Sequence, residues 1–228
     1  MKEEDGARWQ QAREKVVWAS REMSIRRLVV GTWGNVSTRV GDCLVVTPSG
    51  MDYMKLQADD PPVLDLEGRV LLGGRRPSTE TPMHRTIYRH REDVRAIVHT
   101  HSPYAAALSA ARQPLPPILE ELAQMIGGEV RVAEYALPGT QELADRVVAA
   151  LGDSAAAFLP NHGLVGVGRS VNEALLVCEI VEKGAMVYCY ASMLGKPTVL
   201  DEEKVKWLRN EFLTHYGQKK TTPGEVPG

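Results

Sequence analysis

Apolar residues recur at three- and four-residue steps through Trp9, Ala12, Val16, Ala19 and Met23, which predicts an amphipathic helix over residues 7–28. Gly31 and Gly34 end that periodicity. Short β-rich runs at 36–39 and 43–47 flank Gly41–Asp42, a pair suited to a hairpin turn. Thr47-Pro48-Ser49-Gly50 reads as a turn, and Arg69 to Leu72 as a third strand after Glu67–Gly68. The run from Pro77 to Pro82 reads as a loop entering a helix near 81–90, with Pro82 in the first turn, where its missing N–H costs nothing.

Further along, Val94 to Thr100 has the β-branched content of a strand, and a helix begins at Pro103. A helix at 118–126 ends on Gly127–Gly128, and a short strand follows at 129–132. Thr140 caps a helix that runs to Leu151, before Gly152. Ala155 to Leu159 is a buried strand that stops at Pro160-Asn161-His162-Gly163. Helices are expected at about 171–194 and 202–215, and a flexible tail beyond Gly217. Interleaved helices and hairpin-linked strands predict an α/β fold with a mixed or largely antiparallel sheet. No linker composition divides the chain, so one domain is expected over 1–217, with 218–228 as tail.

Composition narrows the function classes. A formal charge of −2 with scattered arginines argues against nucleic acid or an anionic membrane as partner. Cys43, Cys178 and Cys189 are an odd set without CxxC spacing, so neither a disulfide framework nor a cysteine zinc site is expected. The acidic, polar opening is unlike a signal peptide, and no run of about 18 apolar residues offers a membrane span. A reduced, cytoplasmic protein is the expectation.

The candidate chemistry lies where apolar strands give out. His99 and His101 stand two residues apart at the end of one predicted strand, so an extended backbone turns both to one side. His162 follows another strand, and Glu80 opens a helix. Three neutral imidazoles with a fourth position open suit zinc, and a carboxylate can complete the shell or act as a base. Alone, a His-x-His pair is more often structural or exposed than metal-binding. His84, one turn after Glu80, is expected as a half-buried helix histidine, or else as a support for the ligands. His90 and His215 read as solvated residues near helix C-termini. A second set comprises small polar turns: Gly31-Thr32-Trp33-Gly34-Asn35, Ser49–Gly50 and Ser78–Thr79. Glycine turns and helix N-termini with nearby hydroxyls bind phosphate with little cationic help, although the spacing matches neither a P-loop nor a dinucleotide fingerprint.

Taken together, GTWGNVSTR (31–39), TPSG (47–50), PSTE (77–80), HTH (99–101), YALPGTQEL (135–143) and NHGLVGVG (161–168) resemble the class II aldolase/adducin family, in family order. With the flanking helices the resemblance covers about residues 7–217. It implies a three-layer α/β/α sandwich around a mainly antiparallel sheet, and a homotetramer with active sites at subunit interfaces. It implies Zn2+ (Mn2+ or Co2+ being alternatives) held by Glu80, His99, His101 and His162. A phosphate site is implied at Asn35, Ser49, Gly50, Ser78 and Thr79, and a C-terminal tyrosine, matched by Tyr216, that reaches a neighbour's site. The implied activity is metal-dependent cleavage of a ketose 1-phosphate, such as L-fuculose 1-phosphate or a related deoxy sugar phosphate, to dihydroxyacetone phosphate and an aldehyde, with Glu80 and Tyr216 as catalytic groups. Alternatives within the family are a ketose-phosphate 4-epimerase, whose branch typically carries aspartate at the Glu80 position, and a methylthioribulose-1-phosphate dehydratase. An adducin-like interaction domain is a further alternative, but such domains lack the four ligands. The chain departs from the pattern at Ser78–Thr79 for a Ser-Ser pair, at Pro138 for a phenylalanine near the aldehyde, and at Leu119–Glu121, where an interface tyrosine has no counterpart.

Overall fold

The computed structural model describes residues 3–215, so Tyr216 and the expected tail lie outside the described residues. The first helix, α1 (Glu3–Ile25), starts earlier than its apolar stripe and stops three residues sooner than expected. Arg27 adopts φ +58°, and the Leu28 amide reaches back to the Met23 carbonyl, closing a Schellman turn. With no glycine there, the periodicity alone reads through the stop.

The sheet is built from β1 (Asn35–Val40), β2 (Cys43–Val46), β3 (Val63–Asp65), β4 (Val70–Leu72), β5 (Ala96–Thr100), β6 (Arg131–Val132), β7 (Ala156–Leu159) and β8 (Gly163–Gly168). Their order is β4-β3-β2-β1-β5-β8-β7-β6, and all pairs are antiparallel except β6 with β7. Two of these strands carried little signal. β3 follows Pro61–Pro62, and β8 reads Gly-Leu-Val-Gly-Val-Gly, whose glycines depress strand propensity. In β8 the glycine is a packing requirement. A Cβ on Gly166 would stand 2.7 Å from Cys178 Sγ and 3.0 Å from the Ala174 carbonyl oxygen, both on α6 (Val171–Leu194), which lies directly against the strand.

Strand alternation sorts side chains into two apolar layers. Val36, Val45, Val63, Ala96, Val98, Ala156, Phe158 and Leu164 face α1, α3 (Pro103–Ala110), α4 (Glu120–Ile126) and α6. Leu44, Val46, Leu64, Ile97, Ala157, Leu159, Val165 and Val167 face α2 (Thr81–His90) and α5 (Gln141–Leu151). Thr140 caps α5 by accepting from the Leu143 amide, as its sequence position predicts. The last helix, α7 (Glu202–His215), packs on α4, and Arg209 donates to the Gln124 and Met125 carbonyls that end it. Each fully buried Val, Leu or Phe contributes about 1.5–3 kcal/mol against the entropy of ordering. The result is the expected α/β/α sandwich.

Candidate metal centre and adjoining cavity

The antiparallel register brings the site together. Asn35 opens β1 opposite His99 near the end of β5, and His99 lies opposite Val165 near the start of β8. Three connections therefore meet at one end of the sheet: the turn before β1, the residues after β5 and the β7–β8 hairpin. By alternation Ile97 and His99 point to the α2 face, so His99 is a polar residue at a core position and fully buried. His101 lies just past the strand, where its amide donates to the Leu28 carbonyl. His162 sits in a three-residue hairpin turn made by Asn161 at φ +55°. Glu80 is the residue before α2 and turns its carboxylate under the sheet end.

These four side chains converge. His99 Nε2 stands 2.9 Å from His101 Nε2 and 3.2 Å from His162 Nε2. Glu80 Oε2 is 3.2 Å from His99 Nε2, and Oε1 is 3.4 Å from His162 Nε2. All four donor atoms lie within 4.8 Å of one another. A four-coordinate zinc with ligands at roughly 2.0–2.1 Å needs donors roughly 3.4 Å apart, so the cluster has the spacing of a coordination shell.

Hydrogen bonding shows which atoms are free to coordinate. His99 Nδ1 donates to the Leu164 carbonyl oxygen at 2.9 Å, which leaves Nε2 as the ring nitrogen that faces the cluster. Burial and the neighbouring His99 push His101 down to about 3 and His162 down to about 4, so both rings are neutral near pH 7. The short contact from His162 to Glu80 is therefore no ion pair. Burial by itself would lower His99 and raise Glu80, but each outweighs that penalty for the other: His99 rises, and the Glu80 carboxyl falls well below the usual range. Glu80 Oε1 is buried and receives no hydrogen bond. Lone pairs aimed at one another beside an unsatisfied carboxylate oxygen leave a place for positive charge, which a divalent cation fits.

A second row of polar groups lies behind this cluster. Asn35 Nδ2 donates to Glu80 Oε2 at 2.8 Å, and Asn35 Oδ1 stands 2.5 Å from His84 Nε2. His84 Nδ1 is 2.6 Å from Ser37 Oγ, which is 2.8 Å from Tyr88 Oη. His84 is thus wholly buried and bonded, whereas a half-buried position was expected. Ser37 and Tyr88 were not singled out from the sequence. The signal was there: Glu80, His84 and Tyr88 share one helical face, and Asn35 and Ser37 share one strand face. His90 is exposed, as expected.

Glu80, His101 and His162 of the cluster form one wall of a cavity of about 510 Å³. Ser49, Gly50, Ser78 and Thr79 line another wall. Their two turns lie side by side because the Ser49 amide donates to the Arg76 carbonyl and the Ser78 amide to the Thr47 carbonyl. Trp33, Tyr135, Ala136, Pro138 and Leu143 add apolar surface.

Residues 14–189 match the sequence model of the Class II Aldolase and Adducin N-terminal domain. The chain belongs to the class II aldolase and adducin family. It is 36% identical over 212 residues to a 5-deoxy-D-ribulose 1-phosphate aldolase of Bacillus thuringiensis serovar kurstaki, covering 92% of this chain and 99% of that one. It is 33% identical to a 5-methylthioribulose-1-phosphate/5-deoxyribulose-1-phosphate aldolase of Rhodospirillum rubrum, covering 92% and 95%. A solved L-fuculose 1-phosphate aldolase superposes with a TM-score of 0.87 at 35% identity, covering 89% of this chain and 96% of that one. The protein is an aldolase, a lyase of this family.

Class II aldolases are metal-dependent, and among the described residues Glu80, His99, His101 and His162 form a group that could hold a metal ion. Of the residues expected at this aldolase's site, Asn35, Ser49, Gly50, Ser78 and Thr79 all border the same cavity. Asn35 differs from the others in that its amide is committed to Glu80 and His84. Pro138 also borders it, whereas Leu119 caps α4 and Glu121 pairs with Lys183 on α6. Tyr216 falls outside the described residues. No helix among the described residues is long and apolar enough to cross a membrane.

Proposed function

We propose that this aldolase cleaves a ketose 1-phosphate to dihydroxyacetone phosphate and an aldehyde, with Zn2+ as its cofactor. The observation that carries the reading is a cluster of three imidazole Nε2 atoms and one carboxylate, of which Glu80, His101 and His162 line a cavity whose neighbouring wall is two hydroxyl-bearing turns. The nitrogen-rich donor set of Glu80, His99, His101 and His162 suits zinc, with Mn2+ or Co2+ as substitutes. When bound, such an ion supplies Lewis-acid stabilisation of the negative charge that grows as the sugar's C3–C4 bond breaks.

The chain's own groups do the rest. The hydroxyls of Ser49, Ser78 and Thr79 and the amide of Gly50 hold the phosphate beside the N-terminus of α2, with Asn35 at the edge of that site. The electron pair of the broken bond passes to the dihydroxyacetone phosphate half, and Glu80, ionised at rest and protonated from solvent once substrate is bound, delivers the proton that C3 takes up. The proton leaving the C4 hydroxyl goes to Tyr216, which acts as the phenolate and returns that proton to solvent, a role supported by the family resemblance of Tyr216–Gly217. Among substrates, 5-deoxyribulose 1-phosphate and L-fuculose 1-phosphate lead, because relatives of similar length carry those names and because both release aldehydes with a methyl end that suits Trp33, Pro138 and Leu143. A cytoplasmic homotetramer with sites at subunit interfaces completes the reading. Apolar Trp33, Tyr135 and Leu137 are more than half exposed, at 67%, 51% and 63%, and the first two line the cavity, which favours a neighbouring subunit over it.

The test is dihydroxyacetone phosphate release from a panel of ketose 1-phosphates, read by a coupled reductase, with and without chelator. The expected result is release that the chelator stops and zinc restores, and that Glu80→Gln lowers by about 10²–10⁴-fold. No release from any member of the panel, or full activity in Glu80→Gln, overturns the proposal.

A further inference from the structure

The buried row behind Glu80 is hard to explain as packing. It places an amide, an imidazole, a hydroxyl and a phenol against the apolar layer that contains Met83, Ile87 and Ile97. Each such group costs about 1–3 kcal/mol when its hydrogen bonds are unmet, and apolar side chains of similar shape would fill the space without that liability. Yet each of these side chains finds a partner in the row.

The donors and acceptors can be ordered only one way. Glu80 is ionised and accepts, so Asn35 must turn its NH2 toward it. Asn35 Oδ1 can then only accept, so His84 Nε2 carries the proton. Complete burial pushes His84 down to about 3, so the ring is neutral and Nδ1 is an acceptor. Ser37 therefore donates to Nδ1 and accepts from the Tyr88 hydroxyl. Were the Asn35 amide to flip, its carbonyl oxygen would face the carboxylate, a repulsive contact, and the His84 Nε2–H would lose its acceptor. The ordering starts from Glu80, and His84 completes it: its Nε2–H is the donor that Asn35 Oδ1 needs when the Asn35 NH2 faces the carboxylate.

We propose that His84 is a positioning residue for the aldol reaction: it donates from Nε2 to Asn35 Oδ1, locks the Asn35 NH2 onto Glu80, and so holds the carboxylate in the orientation that both metal binding and proton delivery require. His84 neither lines the cavity nor belongs to the four-residue cluster, and its ring nitrogens bond to Asn35 and Ser37, so its hydrogen-bonded route to Glu80 runs through Asn35. The inference rests on the role proposed above for Glu80. It places the specificity of Glu80's alignment in α2 and β1 rather than in the cavity wall.

Two substitutions separate positioning from bulk. His84→Met fills the space without a donor, whereas the side-chain amide of His84→Gln can donate where Nε2 does. In the dihydroxyacetone phosphate assay, His84→Met is expected to lose roughly 10–100-fold in kcat, with KM for the ketose phosphate within about threefold of the parent, and His84→Gln to recover most of the loss. Zinc affinity of the metal-stripped protein, read by competition with a chromophoric chelator, is expected to fall in His84→Met by roughly 10–100-fold and to return in His84→Gln. If His84→Met fails to fold, Ser37→Ala removes the donor that fixes the ring and is expected to shift both readouts in the same direction, by less. Unchanged kcat and zinc affinity in the folded variant, or losses that glutamine does not restore, overturn the inference. Absence of turnover in the parent itself counts against the proposed reaction instead, and the zinc measurement still decides the role of His84.

Discussion

Gly34 joins the fold to the metal cluster, and replacing it with alanine tests that link. The residue sits at φ +95° immediately before β1, where a Cβ would stand 2.6 Å from the His99 carbonyl oxygen and 2.8 Å from Val29 Cγ1. Gly41, in the β1–β2 turn, provides the control: its φ is +59° and a Cβ there meets nothing within 4 Å. An L-residue held in the left-handed region costs about 1–2 kcal/mol at either position. Gly34→Ala adds a contact that real Cβ atoms do not make, against backbone on one side and a buried turn on the other, for a further ~1–3 kcal/mol. The totals are about 2–5 kcal/mol at Gly34 and about 1–2 kcal/mol at Gly41. At about 2–4 °C per kcal/mol for a chain of this size, Tm should fall by about 4–20 °C and about 2–8 °C respectively. Relief of the clash moves the strand that carries His99, so the rise in Tm on adding zinc to metal-stripped protein should also shrink in Gly34→Ala and persist in Gly41→Ala. Scanning calorimetry of both variants, with and without zinc, measures all four quantities. Equal Tm losses with equal zinc responses would show that the close approach of Gly34 to His99 does not position the metal cluster.

Two further outcomes follow from buried titratable groups. His84 is held neutral, down to about 3 against about 6.5 in an unfolded chain, so the unfolded state binds the extra proton first. Stability from this group is complete above about pH 6.5 and drains as pH falls toward 3, at up to ~1.4 kcal/mol per pH unit. Urea unfolding of metal-stripped protein between about pH 7.5 and 4.5 should show that slope reduced in His84→Gln; parallel slopes for the two proteins refute it. Cys178 lies fully buried between α6 and β5, where burial pushes its thiol up to about 12 and its Sγ donates to the Val98 carbonyl. A thiol reagent at neutral pH should label it only as fast as the protein unfolds, while half-buried Cys189 reacts sooner; equal labelling rates by peptide mass spectrometry would contradict this.

Most elements were legible because their signals are local. The apolar steps of α1, the Thr140 cap and Gly152 stop of α5, and the turn chemistry at Gly41–Asp42 each depend on a few adjacent residues. What was missed depends on neighbours distant in sequence. β8 was not assigned as a strand because its glycines, which suit the approach of α6, depress the strand signal. The Schellman turn at Arg27 carries no glycine to announce it. The His99–His101 pair was visible by strand geometry alone; His162 and Glu80 were grouped with it because one follows an apolar strand and the other opens a helix, and the family resemblance then implied all four as ligands.

The amino-acid sequence by itself determined the α/β class, the three histidines and carboxylate offered as ligands, and membership of an aldolase family whose motifs occur in order. Tertiary structure alone decided that these four groups stand within one coordination sphere, that His99 presents Nε2 because Leu164 takes its other nitrogen, and that His84, Ser37 and Tyr88 stand behind Asn35. The physical reason is that composition and periodicity report which face of an element is buried. Protonation state, tautomer and hydrogen-bond direction depend on atoms contributed by other elements, brought within about 3 Å only by the pairing of β1, β5 and β8 under α2.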